Sequence, residues 1–168
     1  MELFGLGSSG TTAQEMQFRL ERIRVPCWHR LDAHKALTNA ALLGPGDVAI
    51  GFSHSGRTRE VIEVLAEAAE QGALTVAVTS FDKSPLAEAA DVVLTTAVHE
   101  TTFRLAALSA LHGQLVAVDL IYVAVAQRTY ARTTEAFEVT ARAVEAHRLH
   151  DEPTSHRRRH ARRGDAAE

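Results

Sequence analysis

The sequence predicts an α/β fold in which a parallel sheet is covered by helices on both faces. Two observations predict it. From the N-terminus to about residue 95, short apolar segments alternate with longer segments of helical periodicity. Such alternation favours parallel strands joined by crossover helices. The rest of the chain shows no strand pattern and is predicted to be helical, which adds long C-terminal helices to the sheet.

Five strands are predicted from their apolar runs and from the turn residues that bound them. They span residues 3–6, 25–29, 47–52, 74–79 and 92–95. Pro26 places the second strand at an edge of the sheet, because a proline cannot donate to a strand ladder. We expect the strand order 2-1-3-4-5, with the sheet as the middle layer of a flavodoxin-like three-layer sandwich.

The predicted helices carry recognisable start and stop signals. The first spans residues 11–24 and has apolar side chains at helical spacing on one face. The second spans residues 33–43 and stops at a Gly-Pro-Gly sequence. The third ends before Gly72, a natural C-cap, and a short fourth helix has Pro85 at its favoured first position.

Residues 101–150 are predicted to be helical with a break near residues 128–132, and residues 151–168 to form a basic, disordered tail. The apolar run at residues 105–126 is expected to be a buried helix rather than a membrane span, because polar residues interrupt it. These are Ser109, His112, Gln114 and Asp119. Since this run is apolar on more than one face, one face is expected to cover the sheet and another to contact a second copy of the chain.

Composition and charge exclude several classes of function. The chain has 168 residues, enough for one domain, and its net charge of -3 gives no electrostatic reason to expect nucleic acid or an anionic membrane as a partner. Cys27 is the single cysteine, so it forms no internal disulfide and is expected to be a buried thiol. Glu2 stands where a secretory signal would be basic, and we expect a cytoplasmic protein. The nine histidines show no zinc-ligand spacing, so neither metal nor cofactor is expected.

The most informative segment is S-H-S-G-R-T at residues 53–58, between the third strand and its helix. A helix start offers unpaired N–H groups and the positive end of a dipole, and Gly56 lets the backbone come close to an anion. The segment has no lysine and is not a Walker-type loop. An ordinary helix cap would need one hydroxyl, whereas this turn carries three. The pattern therefore favours a phosphate site.

A second hydroxyl-rich turn, G-S-S at residues 7–9, follows the first strand. In the order 2-1-3-4-5 the first and third strands are neighbours whose connections leave in opposite directions. Ligands of open α/β sheets bind at this switch point, beyond the carboxyl ends of the strands. The two turns are therefore expected to face one crevice.

From residue 3 to about residue 147 the chain resembles a SIS (sugar isomerase) domain. The segments G-L-G-S-S-G at 5–10, S-H-S-G-R-T-R-E at 53–60, A-L-T-V-A-V-T at 73–79 and S-P-L-A at 84–87 carry the resemblance. It implies that residues 1–150 form a phosphosugar-binding domain. Within that superfamily the chain is most similar to the effector domain of RpiR-type transcriptional regulators. This narrower match rests on residues 32–35, 42–48, 100–104 and 114–119.

The resemblance implies a set of ligand-binding residues. They are Ser8, Ser9, Ser53, His54, Ser55, Gly56, Thr58, Glu100 and Arg104. Ser8 either contacts the phosphate or only shapes its turn, and Ser9 could also cap its helix. Glu100 is implied to face the sugar, or it only favours the dipole of the helix that it opens. Arg104, one turn later, would pair with the ligand or with Glu100, and the second pairing would lower the pKa of that carboxyl.

Three functions remain open on the sequence. The first is an effector sensor for a regulator of carbohydrate metabolism, a homodimer or higher oligomer that contacts DNA only through a helix-turn-helix domain absent from this chain. The second is a stand-alone aldose–ketose phosphate isomerase, with Glu100 as the base and a histidine such as His34, His54 or His99 opening the sugar ring. The third is a scaffold without ligand, which the intact hydroxyls at both turns disfavour.

Overall fold

The computed structural model describes residues 1–97, 108–145 and 147, and it contains a five-stranded sheet in the order β2-β1-β3-β4-β5. All four neighbouring strand pairs are parallel. The strands are β1 (Glu2–Gly5), β2 (Trp28–Arg30), β3 (Val48–Phe52), β4 (Leu74–Thr79) and β5 (Val92–Thr95). The predicted strand number, direction and order are confirmed.

Six helices lie among the described residues. They are α1 (Ser8–Glu21), α2 (Ala33–Ala40), α3 (Arg59–Glu70), α4 (Pro85–Glu88), α5 (Leu108–Arg128) and α6 (Tyr130–Glu145). The break between α5 and α6 falls at Thr129, inside the predicted interval. Ser84 caps α4 by accepting a hydrogen bond from the Ala87 N–H at 3.4 Å.

Several boundaries differ from the sequence prediction by one to three residues, and α1 and α2 each end three residues early. Helix α1 begins three residues early, because Gly7 turns the chain with φ 57° and the helix starts at the next residue. Strand β2 is shorter and lies later than predicted. Arg24 takes a positive φ of 60° after α1, and pairing with β1 begins only at Trp28, whose N–H donates to the Met1 carbonyl at 3.1 Å. Pro26 therefore precedes the strand, which does lie at the sheet edge.

The core is divided by the sheet into two apolar layers. On one face, the cluster containing Leu3, Ile50 and Val78 packs against α1 and α5. On the other, the cluster containing Phe4, Ala49 and Ala77 packs against α2 and α3. Adjacent strand residues such as Leu3 and Phe4 thus serve opposite layers, as the strand period of two requires. This is the predicted three-layer sandwich.

Cys27 lies in the first of these layers with 1% of its surface exposed. Burial raises the pKa of its thiol to about 11, and the nearby charge of Glu21 acts in the same direction. Since the thiolate is the nucleophile, the side chain is inert near neutral pH. The prediction of a buried thiol is confirmed.

Helix α5 is long and apolar enough to cross a membrane by length and composition alone. Here it packs on α1 through one stripe, formed by Ala110, Gln114 and Val118, and its Asp119 pairs with Arg19. Its other faces expose large apolar side chains, namely Leu108, Val116, Leu120 and Val123. The prediction of a buried helix therefore holds for one stripe only.

Candidate functional site

The turn after β1 brings the start of α1 close against the sheet. Gly7 is the N-cap residue, so no side chain caps the helix and Ser9 lies inside it, as its second residue. A Cβ on Gly5 would lie 2.6 Å from the Ser9 carbonyl oxygen, so only glycine allows this approach. The first turn of α1 contains no acidic residue, which leaves the positive end of its dipole uncompensated. The alternative role of Ser9 as a helix cap is therefore not seen.

The turn after β3 forms a loop that is stabilised by hydrogen bonds among its own polar groups. The Ser53 and Thr58 hydroxyl oxygens lie 2.9 Å apart, and the Gly56 N–H donates to the Ser53 carbonyl at 3.1 Å. The Ser55 hydroxyl accepts the Arg57 N–H at 3.2 Å and is exposed. Thr58 is the N-cap of α3 but makes no side-chain capping bond. Its hydroxyl is thus directed to Ser53 rather than to the ordinary capping role.

Gly56 has a steric role that the sequence did not predict. Its φ is 62°, and a Cβ there would overlap the Ser84 hydroxyl and lie 2.9 Å from the Thr79 hydroxyl. Its carbonyl accepts the Leu86 N–H at 3.0 Å. The missing side chain therefore lets the loop lie directly on the start of α4. The expectation that Gly56 also lets the backbone come close to an anion stays a prediction.

His54 is held by residues that follow β4 and β5. Its Nδ1 lies 2.8 Å from the Ser80 hydroxyl, which lies 2.8 Å from the Thr96 hydroxyl. The Phe81 ring meets the imidazole edge to face at 5.9 Å. Sequence reasoning did not name Ser80 or Thr96 as site residues. The sequence does contain an indication of them, because hydroxyl residues follow β4 and β5 as they follow β1 and β3.

The two turns that carry the predicted phosphate residues start at the same edge of the sheet. Gly5 pairs with Phe52 at the carboxyl ends of β1 and β3, and neighbouring strands lie about 4.8 Å apart. Ser8 and Ser9 therefore start from the same edge as the loop at residues 53–58. Glu100, Arg104 and His99 lie outside the described residues, so the structure describes the predicted ligand residues of the two turns alone.

Two cavities lie elsewhere in the described part of the chain, and their lining groups are less suited to binding a ligand. One, of about 620 Å³, lies at the opposite edge of the sheet and contains Asp47 and Asp91. Both carboxylates already accept backbone N–H groups, and hydrogen bonds from Thr75 hold the pKa of Asp91 below its usual value. The other, of about 190 Å³, lies between α2 and α3 and includes His34. Within residues 1–97 and 108–145, no three His, Cys, Asp or Glu side chains are grouped to hold a metal ion.

The sequence model of the SIS domain family matches residues 1–124, and the chain belongs to this family. Its relatives include an uncharacterized HTH-type transcriptional regulator of Caldanaerobacter subterraneus, 34% identical over 151 residues, which are 90% of this chain and 54% of that protein. A second HTH-type regulator, from Bacillus subtilis, is 31% identical over 89% of this chain and 53% of its own length. The chain thus spans about half the length of the curated relatives it matches.

Solved structures agree with this assignment. The NanR protein of Vibrio vulnificus, complexed with ManNAc-6P, is 26% identical with a TM-score of 0.80, over 89% of this chain and 56% of that one. The sugar isomerase domain of an RpiR transcription factor from Sphaerobacter thermophilus is 27% identical with a TM-score of 0.74, over 84% of this chain and 77% of that one. The resemblance to RpiR-type effector domains is confirmed.

Replacing Gly56 by alanine tests the packing of the loop on α4. We expect Gly56→Ala to lower the free energy of unfolding by at least about 2 kcal/mol, because it combines a left-handed backbone with an overlap on Ser84. Gly44→Ala is the matched control, since nothing lies within 4 Å of its Cβ position, and its effect should stay within about 1 kcal/mol. Urea denaturation measures both, and equal losses in the two variants would contradict this account.

Proposed function

We propose that this domain binds a phosphorylated sugar and acts as the effector sensor of an RpiR-type transcriptional regulator of carbohydrate metabolism. The observation that carries the proposal is that two hydroxyl-bearing turns start at the adjacent carboxyl ends of β1 and β3. The phosphosugar named with the NanR structure and the HTH-type regulators among the relatives support it.

In the proposed complex the phosphate lies between the first turn of α1 and the loop at residues 53–58. Ser9, Ser53, Ser55 and Thr58 surround it, with the N–H groups at the start of α1 as further donors. The 2.9 Å contact between the Ser53 and Thr58 hydroxyls keeps these groups in place before the ligand arrives. Hydrogen bonds to a dianion are short and strong, so the site can bind phosphate without a dedicated cation.

The sugar end of the proposed site comprises His54, Glu100 and Arg104. The Ser80 hydroxyl, itself bonded to Thr96, orients the imidazole of His54 through Nδ1. DNA would be contacted through a helix-turn-helix domain of the kind named in the relatives. Regulators among these relatives favour a sensor over a stand-alone isomerase.

A panel of sugar phosphates tests the function. We expect one or more of ManNAc-6P, glucose 6-phosphate and fructose 6-phosphate to stabilise the domain, by about 2.7 kcal/mol at a concentration one hundred times its dissociation constant. The corresponding unphosphorylated sugars should not stabilise the domain. Thermal unfolding measures the binding, and product analysis of the same mixtures measures turnover. Conversion at enzyme-like rates would favour the isomerase, and stabilisation by none of a wide panel would refute the proposal.

The double variant Ser55→Ala with Thr58→Val tests the site. It removes two hydroxyls from the proposed cradle while keeping nearly the same shape, so the affinity for the best ligand of the panel should fall at least about a hundredfold. The fold should be retained. Ser109→Ala with Thr134→Val makes the same chemical change on α5 and α6 and should bind normally. Unchanged affinity in the first variant, measured by calorimetry, would exclude these hydroxyls from the site.

We further propose that the exposed apolar side of α5 contacts a second copy of the chain. Leu120 is 68% exposed and lies among other exposed apolar residues of this helix. Leu120→Glu should raise the dimer dissociation constant at least about tenfold, because a charge would enter an apolar interface. Leu42→Glu, at the 83% exposed Leu42 after α2, is the control. Analytical ultracentrifugation measures the dimer dissociation constant of each variant. A wild-type protein that stays monomeric at high concentration would contradict the proposal.

A further inference from the structure

Gln114 is an unusual residue for the place it occupies. It is 1% exposed in the seam between α5 and α1, and its buried neighbours on α5 are Ala110 and Val118. Its Nε2 has no hydrogen-bond partner among the described residues. A half-satisfied amide is costly in an apolar seam, where a methionine of similar length would pack without that penalty. Stability alone therefore does not account for an amide here.

The amide meets Thr12, whose hydroxyl lies 3.1 Å from Gln114 Oε1 and 3.4 Å from the Ser8 carbonyl oxygen. Thr12 is fully buried, so no water competes for this hydroxyl. The hydroxyl has one proton and therefore donates to one of the two oxygens at a time. With the amide rotated by half a turn, Nε2 donates to Thr12 and Thr12 donates to Ser8, and the chain of hydrogen bonds from α5 to the first residue of α1 is unbroken.

The first turn of α1 is thus fixed on three sides. On the sheet side, Gly5 lets the backbone come into direct contact with Ser9. On the side of α2, a Cβ on Gly10 would lie 2.8 Å from the end of the Leu31 side chain and 2.9 Å from the Gly5 carbonyl oxygen. On the side of α5, the Gln114 amide holds Thr12, one turn after Ser8. The first two contacts are steric, whereas the third is directional.

We propose that Gln114 is a positioning residue of the phosphate site, acting through the Thr12 hydroxyl on the first turn of α1. The inference rests on the proposed function. Hydrogen bonds from a helix start to an anion weaken steeply as their angles depart from linear. A contact that fixes the helix start laterally therefore supports the affinity for phosphate without touching it.

Two variants of Thr12 separate the hydroxyl from the packing. Thr12→Val keeps the shape and loses the hydroxyl, whereas Thr12→Ser keeps the hydroxyl and loses a methyl group. We expect Thr12→Val and Gln114→Met each to weaken the binding of inorganic phosphate about three- to tenfold, and Thr12→Ser to bind within about twofold of wild type. The combined variant should be no weaker than Thr12→Val alone, since both changes break one contact.

Titration of the full chain with inorganic phosphate, followed through the backbone amide NMR shifts of Ser9 and Ser55, measures these affinities. Thr140→Val, which removes a hydroxyl bonded only within α6, is the control and should bind as wild type does. A Thr12→Ser variant weaker than Thr12→Val would show that packing alone matters, and losses that multiply in the combined variant would show independent roles. Either result overturns the proposal while phosphate still shifts the wild-type amides. Absence of those shifts would instead overturn the proposed function, and this inference with it.

Discussion

The parallel pairing of β1 with β3 is the constraint on which the rest of the structure depends. Their register sets Gly5 beside Phe52, so the chain leaves both strands at one edge and turns into helices on opposite faces of the sheet. Helix starts are the part of a parallel α/β fold where N–H groups lack internal partners. Two of them are thereby brought to the edge where the hydroxyl residues also lie. The strand order therefore fixes the position of the proposed site, and single side chains only refine it.

Hydrogen bonds and a steric fit maintain the shape of the proposed cradle among the described residues. Ser53 bonds Thr58, Gly56 lies on Ser84, and the Ser80 hydroxyl contacts His54 Nδ1. The nearby Arg59 is engaged by Glu63 at 2.7 Å. An anion would therefore meet fixed dipoles, which need no reorganisation when it binds. Dipoles close to the ligand are also screened less by salt than exposed charges are.

The sequence was sufficient for the strands and for the two turns because both depend on local patterns, whereas the strand order was assumed from the flavodoxin-like fold class. Apolar runs and turn residues locate the strands, and hydroxyls after a strand stand out against them. What it did not predict depends on contacts distant in the chain. The late start of β2 follows from the pairing of Trp28 with Met1, which lies 27 residues earlier, and the role of Gly56 follows from Ser84, which lies 28 residues later. Thr12 and Gln114 are 102 residues apart, and no local pattern relates them.

Helix α5 connects the proposed ligand site with the proposed dimer surface. One stripe of it is tied to α1 by Thr12 inside the seam and by Arg19 at its margin, and both contacts are polar and directional. Its exposed apolar side lies across the helix, about 10 Å away. A ligand that stabilises one placement of the α1 start would favour one placement of α5, and with it one arrangement of two copies. A sensor needs such a coupling between sites, whereas an isomerase does not. Directional polar contacts between α1 and α5 therefore suit a regulator better than the tighter apolar packing that could replace them.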